Sequence, residues 1–371
     1  MLPIRNLAPR GKKLLLANLL EFSGVNRLMA RLPGWSGLLV LNYHRIGCPD
    51  ETPFDRNLFS ATQEKLEQQI RAFQHHGEIV GIEQLPDVLT RPRGKYLLIT
   101  FDDGYRDNYE LAFPVLRACG ARATFFIATG FIDQPRVAWW DEIAWMLRQH
   151  RVKKLPRGNW FSEDIPVRGA YPAEAIGAAV RKYWSLPAEE AERYLEDLAL
   201  LTEAGRCPKT MAETLWMTWD MIRELATAGH DIGGHTVDHP VLAQCSLARQ
   251  QWEIEESRRR LTAQLGAAPQ AFSYPVGQPH VHGTDAAIAG GSRLSLGFQL
   301  LWQLLPTSNG QSVRSPPMCN RFRSTCQPVS SPPDVPADFF TQVNRRRATV
   351  TQYPAWGGNP RENFPAGPRI S

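Results

Sequence analysis

The chain of 371 residues lacks several features that would assign it to a common class. Its six cysteines form no Cys-x-x-Cys pair, so the sequence does not suggest a thiolate zinc site. Their scatter does not form a disulfide framework either, and it favours a reducing compartment. The net charge of +5 is small for this length, and no predicted helix concentrates basic residues with interleaved aromatics. Nucleic acid is therefore not an expected partner.

Long apolar runs are scarce in residues 1–34. The run at residues 14–20 is too short to span a membrane and is soon followed by Glu21 and Asn26. No small-residue cleavage site follows it, which argues against a secretory signal. The segment is predicted to form an amphipathic helix that either packs on the domain or touches an anionic membrane surface. We therefore expect a cytoplasmic or peripheral membrane protein, with its oligomeric state left open.

Lysine is absent after His280, although the preceding chain contains eight. Residues 281–371 carry Arg345, Arg346 and Arg347 among many serines and prolines, and the segment beyond Thr307 has little apolar periodicity. That composition is typical of disorder. Two origins stay open, a natural linker and an end translated in a shifted frame. Resequencing around His280 separates them, because an intact single frame would contradict the frameshift.

The sequence does contain apolar strands that alternate with amphipathic helices. This alternation predicts an α/β fold with a parallel sheet, open or closed into a barrel. The catalytic domain is assigned to residues 35–280. Within it, residues 131–215 break the rhythm and are interpreted as a helical insertion. Its Trp139, Trp140 and Trp145 could form a wall on which sugar rings stack, and burial in the insertion core is the alternative.

Two adjacent carboxylates, Asp102 and Asp103, follow the predicted strand 96–101, and Gly104 permits a sharp exit. A fold that brings two acids together usually places a cation or a proton between them. His235 and His239 are four residues apart, which on a helix or a tight turn puts both rings on one side. With one carboxylate they complete a metal site that keeps positions open for water. The second carboxylate can then accept a proton from that water.

His44 also follows a predicted buried strand, at residues 36–41. A structural histidine with satisfied hydrogen bonds is the alternative for this residue. Its position at a strand end, like that of the two acids, favours a functional role.

Three motifs together resemble the polysaccharide deacetylase family, which includes chitin-oligosaccharide and peptidoglycan deacetylases. They are Thr100-Phe101-Asp102-Asp103-Gly104, then His235-Thr236-Val237-Asp238-His239-Pro240, then Phe272-Ser273-Tyr274-Pro275-Val276-Gly277. The resemblance covers residues 38–277 and implies a distorted (β/α) barrel of seven strands, with the site at the carboxyl ends of the strands.

The resemblance also implies roles for individual residues. Asp102 would be the catalytic base, and Asp103, His235 and His239 would bind a divalent metal, most simply zinc. A backbone amide near Tyr274 would bind the oxyanion. The Leu-x-His motif that carries the general acid in most members is not evident after Gly277, nor is the arginine often found near the third motif. A permuted branch supplies that histidine from a Tyr-His motif on its first strand, which matches Tyr43-His44.

The expected function is removal of N-acetyl groups from an acetylated polysaccharide or oligosaccharide, by attack of metal-bound water on the amide carbonyl. Some family members instead remove O-acetyl groups or hydrolyse non-sugar C–N amide bonds. A second class is an inactive glycan-binding module on a degenerate barrel. A third is a non-haem iron oxygenase, which also uses two histidines and one carboxylate. The second aspartate and the third motif argue against it.

Overall fold

The computed structural model describes residues 37–90 and 94–276, together with three two-residue strands farther along the chain. The predicted N-terminal helix of residues 1–34 lies outside the described residues. So does the tail 281–371 except for those short strands, at Phe298–Gln299, Gln342–Val343 and Val350–Thr351.

The described elements alternate between strands and helices, as the sequence predicts. The strands are β1 (Gly37–Tyr43), β2 (Arg45–Ile46), β3 (Phe59–Ala61), β4 (Glu78–Ile79), β5 (Lys95–Phe101), β6 (Thr124–Ile127), β7 (Lys154–Leu155), β8 (Ile165–Pro166), β9 (Asp231–Gly234) and β10 (Phe272–Ser273). The helices are α1 (Gln63–His76), α2 (Leu85–Thr90), α3 (Phe113–Cys119), α4 (Thr129–Asp133), α5 (Trp139–Arg148), α6 (Ala173–Trp184), α7 (Ala191–Leu201), α8 (Trp219–Thr227) and α9 (Leu247–Leu265). Short 3₁₀ turns occupy Arg56–Leu58, Ile82–Gln84, Ala188–Glu190, Lys209–Ala212 and Leu242–Gln244.

The main sheet has seven strands in the order β1-β5-β6-β9-β10 and then Phe298–Gln299, with β4 also paired to β5. Every pairing is parallel except that of Phe298–Gln299, which runs antiparallel to β10. The sheet curls into a half-barrel with helices packed against it. The α/β fold is thereby confirmed. A closed barrel of seven parallel strands is not, because within the described residues β1 pairs with β5 alone.

Apolar residues on the parallel strands form the core. Val40, Leu98 and Phe126, from β1, β5 and β6, are completely buried and belong to one cluster with residues of α2. Strands that are covered on both faces consist of near-continuous apolar runs, which is why β1, β5 and β6 are recognisable in the sequence.

Local sequence signals set the helix ends. Ser246 caps α9 by accepting a hydrogen bond from the Arg249 amide, and Thr218 caps α8 in the same way through Met221. The start of α3 is irregular, because Asn108–Ala112 forms a π-helical turn before it. Pro114 lies in the first turn of α3 and has no N–H to donate backwards, which favours a wider turn before it.

Residues 131–215 contain the helices α5, α6 and α7. Helix α5 contacts α6 and α7, and β7 and β8 form a small antiparallel hairpin beside them. Trp139 and Trp140 on α5 are only 8% and 3% exposed, so these two rings belong to the core and do not form an open sugar-stacking wall. Among the residues described here, no helix is both long and apolar enough to cross a membrane.

Candidate metal centre

The site residues predicted from the sequence lie at the carboxyl ends of the parallel strands. His44 follows β1, Asp102 and Asp103 follow β5, His235 follows β9, and Tyr274 follows β10. The register pairs Tyr43 with Phe101, so the residues after them lie side by side. The Asp102 amide donates to the Tyr43 carbonyl at 2.9 Å, which extends this pairing by one residue.

Asp103, His235 and His239 form a compact buried cluster. The Oδ1 atom of Asp103 lies 3.4 Å from Nε2 of His235 and 3.2 Å from Nε2 of His239. One ligand atom from each residue lies within 4.8 Å of the others. Within the described chain this is the sole group of three such residues that could hold a metal ion.

The cluster fits a tetrahedral metal ion. Two ligand atoms that are each bound at zinc–nitrogen or zinc–oxygen distance stand about 3.4 Å apart, close to the measured separations. Oδ1 of Asp103 is buried and has no hydrogen-bond partner of acceptable geometry, so its lone pairs are available to a cation. Nδ1 of His235 lies 2.8 Å from the Ser273 carbonyl, which directs Nε2 toward the cluster.

Electrostatics keep the Asp103 carboxylate charged. Burial alone would raise the pKa of Asp103, but the imidazoles of His235 and His239, followed by nearby His44, hold it well below its usual value. Burial lowers the pKa of His239 and opposes charge on His235 as well, yet the interaction with Asp103 raises the pKa of His235. An anionic oxygen facing two imidazole nitrogens is a donor set suited to zinc.

Asp102 lies beside the cluster and makes different contacts. Its Oδ2 accepts a hydrogen bond from the Asn42 side chain at 3.2 Å, and the Ser273 hydroxyl lies 3.5 Å away. Its Oδ1 is buried without a hydrogen-bond partner. One oxygen is therefore held while the other remains available as a proton acceptor.

The main chain of His44 is fixed at the same edge of the sheet. Its amide donates to the Ser60 hydroxyl at 3.1 Å, and its carbonyl accepts from the Asn108 side chain at 2.7 Å. The residue is half-buried, and its Nδ1 has no hydrogen-bond partner. The backbone of His44 is therefore anchored, while Nδ1 of its ring is left without a partner among the described residues.

The turn that carries the two histidines is strained. Thr236 and His239 have φ values of 68° and 53°, a region that residues with a Cβ seldom adopt and that is most unusual for a β-branched threonine. Each such residue costs on the order of 1–3 kcal/mol unless its surroundings enforce it. The sequence allowed His235 and His239 to lie either on a helix or on a tight turn. The structure places them on a tight turn.

Neighbouring backbone groups hold the carbonyls of this turn. The amides of Thr129 and Gly130 donate to the carbonyls of Thr236 and Val237 at 3.1 and 2.8 Å. A Cβ at Gly130 would lie only 2.7 Å from the Val237 oxygen, so the close approach requires glycine there. The Trp139 indole N–H donates to the His239 carbonyl at 3.1 Å.

A buried polar network links the inserted helix α5 to the aspartate motif. The Trp140 indole N–H donates to the Tyr105 hydroxyl at 2.8 Å, and that hydroxyl donates to Oδ2 of Asp141 at 2.8 Å. The Asp55 amide donates to Oδ1 of Asp141 at 3.1 Å. Burial raises the pKa of Asp141 to about 7 and that of Asp55 to about 6.

Several participants were not found from the sequence. Asn42 and Ser273 contact Asp102, and Trp139, Trp140 and Glu253 contact the histidine turn or the residues within it. Asn42 and Ser273 could have been found, since Asn42 directly follows the predicted strand 36–41 and Ser273 belongs to the third motif. Glu253 lies inside a helix and carries no local signal.

The fold and this buried Asp-His-His cluster define an α/β protein with a candidate metal site. The family model for “Polysaccharide deacetylase” matches residues 90–154 and 178–291. The chain therefore belongs to the polysaccharide deacetylase family. The match includes both aspartates, both histidines and Tyr274, while His44 lies before it. The unmatched residues 155–177 fall within the predicted insertion 131–215.

Similarity to individual proteins is local or distant. A segment of 37 residues is 57% identical to the Bacillus subtilis (strain 168) protein named “Putative polysaccharide deacetylase YxkH”, covering 10% of this chain and 13% of that protein. Among solved structures, the Streptococcus pyogenes deacetylase PplD in complex with acetate shares 21% identity, with a TM-score of 0.41 over 67% of this chain and 77% of that one. IcaB from Ammonifex degensii shares 20% identity, with a TM-score of 0.39 over the same shares.

Proposed function

We propose that this protein is a metal-dependent hydrolase that removes N-acetyl groups from an acetylated polysaccharide or oligosaccharide. The observation that carries the proposal is the buried cluster of Asp103, His235 and His239 with the second carboxylate, Asp102, beside it. Family membership adds the substrate class, since the family is named for deacetylation of polysaccharides.

The proposed metal ligands are Asp103, His235 and His239, with zinc as the best match to one carboxylate and two imidazoles. A bound zinc ion would act as a Lewis acid, lowering the pKa of water and polarising the amide carbonyl. The roles of the neighbouring residues follow from the atoms that each leaves available.

Asp102 is proposed as the general base. Its Oδ2 is held by Asn42, so the unpartnered Oδ1 is the atom that would receive the proton of the attacking water. The division between the two aspartates has a geometric basis, because only Asp103 lies within 3.5 Å of the histidine nitrogens.

His44 is proposed as the general acid. The oxygen of water adds to the acetyl carbon, the C–N bond breaks, and the leaving nitrogen needs a proton that a protonated His44 ring can supply. A backbone amide near Tyr274 would donate to the oxygen that becomes negatively charged. The products are acetate and the free amine of the sugar.

Acetate release from N-acetylglucosamine oligomers tests this function directly. We expect release by the protein supplied with zinc, and loss of release after treatment with a chelator. The matched control is Asp102→Asn, which keeps the size of the side chain but removes the base. Release no greater than that of Asp102→Asn would reject the enzyme on these substrates and favour a glycan-binding module. Hydrolysis of a non-sugar amide instead would support the proposed amide hydrolysis but change the proposed substrate class.

A further inference from the structure

The turn His235–His239 presents two backbone amides to a single buried carboxylate from another helix. Oε2 of Glu253 accepts hydrogen bonds from the Val237 amide at 2.7 Å and the Asp238 amide at 2.9 Å. Glu253 lies on α9, and its side chain has no exposed surface. Both amides belong to residues between the two histidines.

The other polar groups of the turn have partners that are local or come from β6, α4 and α5. The His235 amide donates to the Ile127 carbonyl at 3.0 Å, and the His239 amide donates to the Thr236 hydroxyl at 3.0 Å. The carbonyls are held by the backbone of α4 and by Trp139. A buried amide must find an acceptor, and for the two central amides that acceptor is Glu253.

Glu253 is itself held in place. Its other oxygen, Oε1, accepts from the Arg249 guanidinium at 2.7 Å, one turn earlier on α9. Arg249 also pairs with the Asp238 side chain, and Arg136 pairs with Asp238 at 2.6 Å. The carboxylate therefore stands at a fixed point, with its remaining oxygen aimed at the turn.

We propose that Glu253 is a positioning residue for the metal site, holding the strained turn in the shape that aims His235 and His239 at Asp103. The inference rests on the proposed function only in taking that cluster as the metal site. Without Glu253, two buried amides lose their acceptor and the left-handed residues on either side lose their restraint. The turn then relaxes, and the two imidazoles no longer face one point.

The test is zinc affinity, measured by competition with a chromogenic chelator on the full chain. We expect Glu253→Ala to weaken zinc binding by about 10- to 100-fold, the usual effect of removing a group that orients a metal ligand. Glu253→Gln keeps an acceptor without the charge, and a neutral hydrogen bond is about half as strong, so we expect a loss of about 3- to 10-fold. The matched control is Glu256→Ala on the same helix, whose carboxylate pairs with Arg259 and Arg260 and not with the turn. We expect it to stay within about twofold of the wild type.

Thermal unfolding of the metal-free variants separates positioning from general damage. If Glu253→Ala does not fold, the comparison of Glu253→Gln with Glu256→Ala decides. Wild-type zinc affinity in the folded Glu253 variant would overturn the positioning role. Failure of the wild type to bind zinc would overturn both the positioning role and the proposed function. A wild type that binds zinc yet releases no acetate would leave the role of Glu253 standing.

Discussion

The indole of Trp140 packs edge-on against the imidazole of His239, with ring centroids 4.3 Å apart and planes inclined by 60°. This contact matters because Nδ1 of His239 is buried without a hydrogen-bond partner. A metal-binding histidine is usually oriented by a hydrogen bond from its second nitrogen, as His235 is through Ser273. The ring of His239 is instead oriented by its packing against the Trp140 indole.

Shortening Trp140 should therefore loosen the metal site. We expect Trp140→Ala to lower the free energy of unfolding by about 3–5 kcal/mol and to weaken zinc binding by about tenfold. Trp140→Phe should cost less, because it keeps one aromatic ring and loses the smaller pyrrole ring together with its hydrogen bond to Tyr105. Urea unfolding and zinc competition provide the two measurements.

Trp160→Phe and Trp160→Ala are the matched controls. Trp160 is buried within the insertion, where it packs on Tyr194 and donates to Asp197. These substitutions should lower stability while leaving zinc affinity unchanged. Equal losses of zinc affinity at both tryptophans would show that general destabilisation, and not the contact with His239, governs the metal site.

Substitution of the two adjacent aspartates should affect zinc binding and acetate release differently. Asp103→Asn removes the charged ligand, so we expect zinc binding and acetate release to fail together. Asp102→Asn should keep zinc affinity within a few-fold and lower acetate release by about 10²- to 10⁴-fold, the usual contribution of a general base. Zinc affinity and acetate release, measured on both variants, check this. Loss of zinc binding in Asp102→Asn would exchange the two assignments, making Asp102 the metal ligand and Asp103 the general base.

His44 should matter only when the leaving group needs a proton. We expect His44→Ala to lower release of acetate from an N-acetyl sugar by about 10²- to 10⁴-fold. Hydrolysis of 4-nitrophenyl acetate, whose leaving group departs as an anion, should fall far less. His150→Ala is a suitable control, because His150 contacts the Val152 carbonyl away from the cluster. Equal losses on amide and ester would argue against an acid role for His44.

Asp141 should make stability depend on pH. Its pKa is raised to about 7 in the fold by burial, above its value of about 3.9 in an unfolded chain. Such a group contributes stability that is fully present below the unfolded pKa and is lost as pH rises through the folded one. The contribution of Asp141 to the free energy of unfolding should therefore fall between pH 5 and pH 8, by on the order of 2 kcal/mol.

Asp141→Asn should flatten this dependence without abolishing it. Asp55, whose pKa is raised to about 6, acts in the same direction and remains in the variant. Arg45 and the Tyr105 hydroxyl face Asp141 and partly oppose the shift. Urea titrations of the metal-free protein at pH 5, 6, 7 and 8 provide the measurement. Parallel curves for the variant and the wild type would contradict the assignment.

Much of the fold could be predicted because its signals are local. The apolar runs of β1, β5 and β6 mark buried strands, and Ser246 and Thr218 mark helix starts through their own side chains. The π-helical turn at Asn108–Ala112 could not be foreseen, since Pro114 predicts an irregularity without specifying which one. The burial of Trp139 and Trp140 could not be predicted either, because an aromatic cluster has the same sequence whether it lines a groove or fills a core.

The residues of the site also differ in whether a local sequence signal reveals them. Asp102, Asp103, His235 and His239 are recognisable because each sits just past a strand and belongs to a short motif. Glu253 is separated from the turn it holds by a loop and part of a helix. It falls on the buried face of α9 with Ile254 and Leu261, but its position there does not indicate its partner. Its role follows only from three-dimensional burial and from the two amides directed at it.

The parallel pairing of β1 with β5 has a consequence for how the protein is made. His44, Asp102 and Asp103 are all brought together by the first strands of the sheet, whereas His235 and His239 follow β9. At synthesis rates of about 5–20 residues per second, the histidine turn leaves the ribosome on the order of 10 s after the aspartates. The two aspartates are therefore synthesised before the two imidazoles that complete the cluster. Binding of the proposed metal ion would therefore require a sheet that has been built as far as β9.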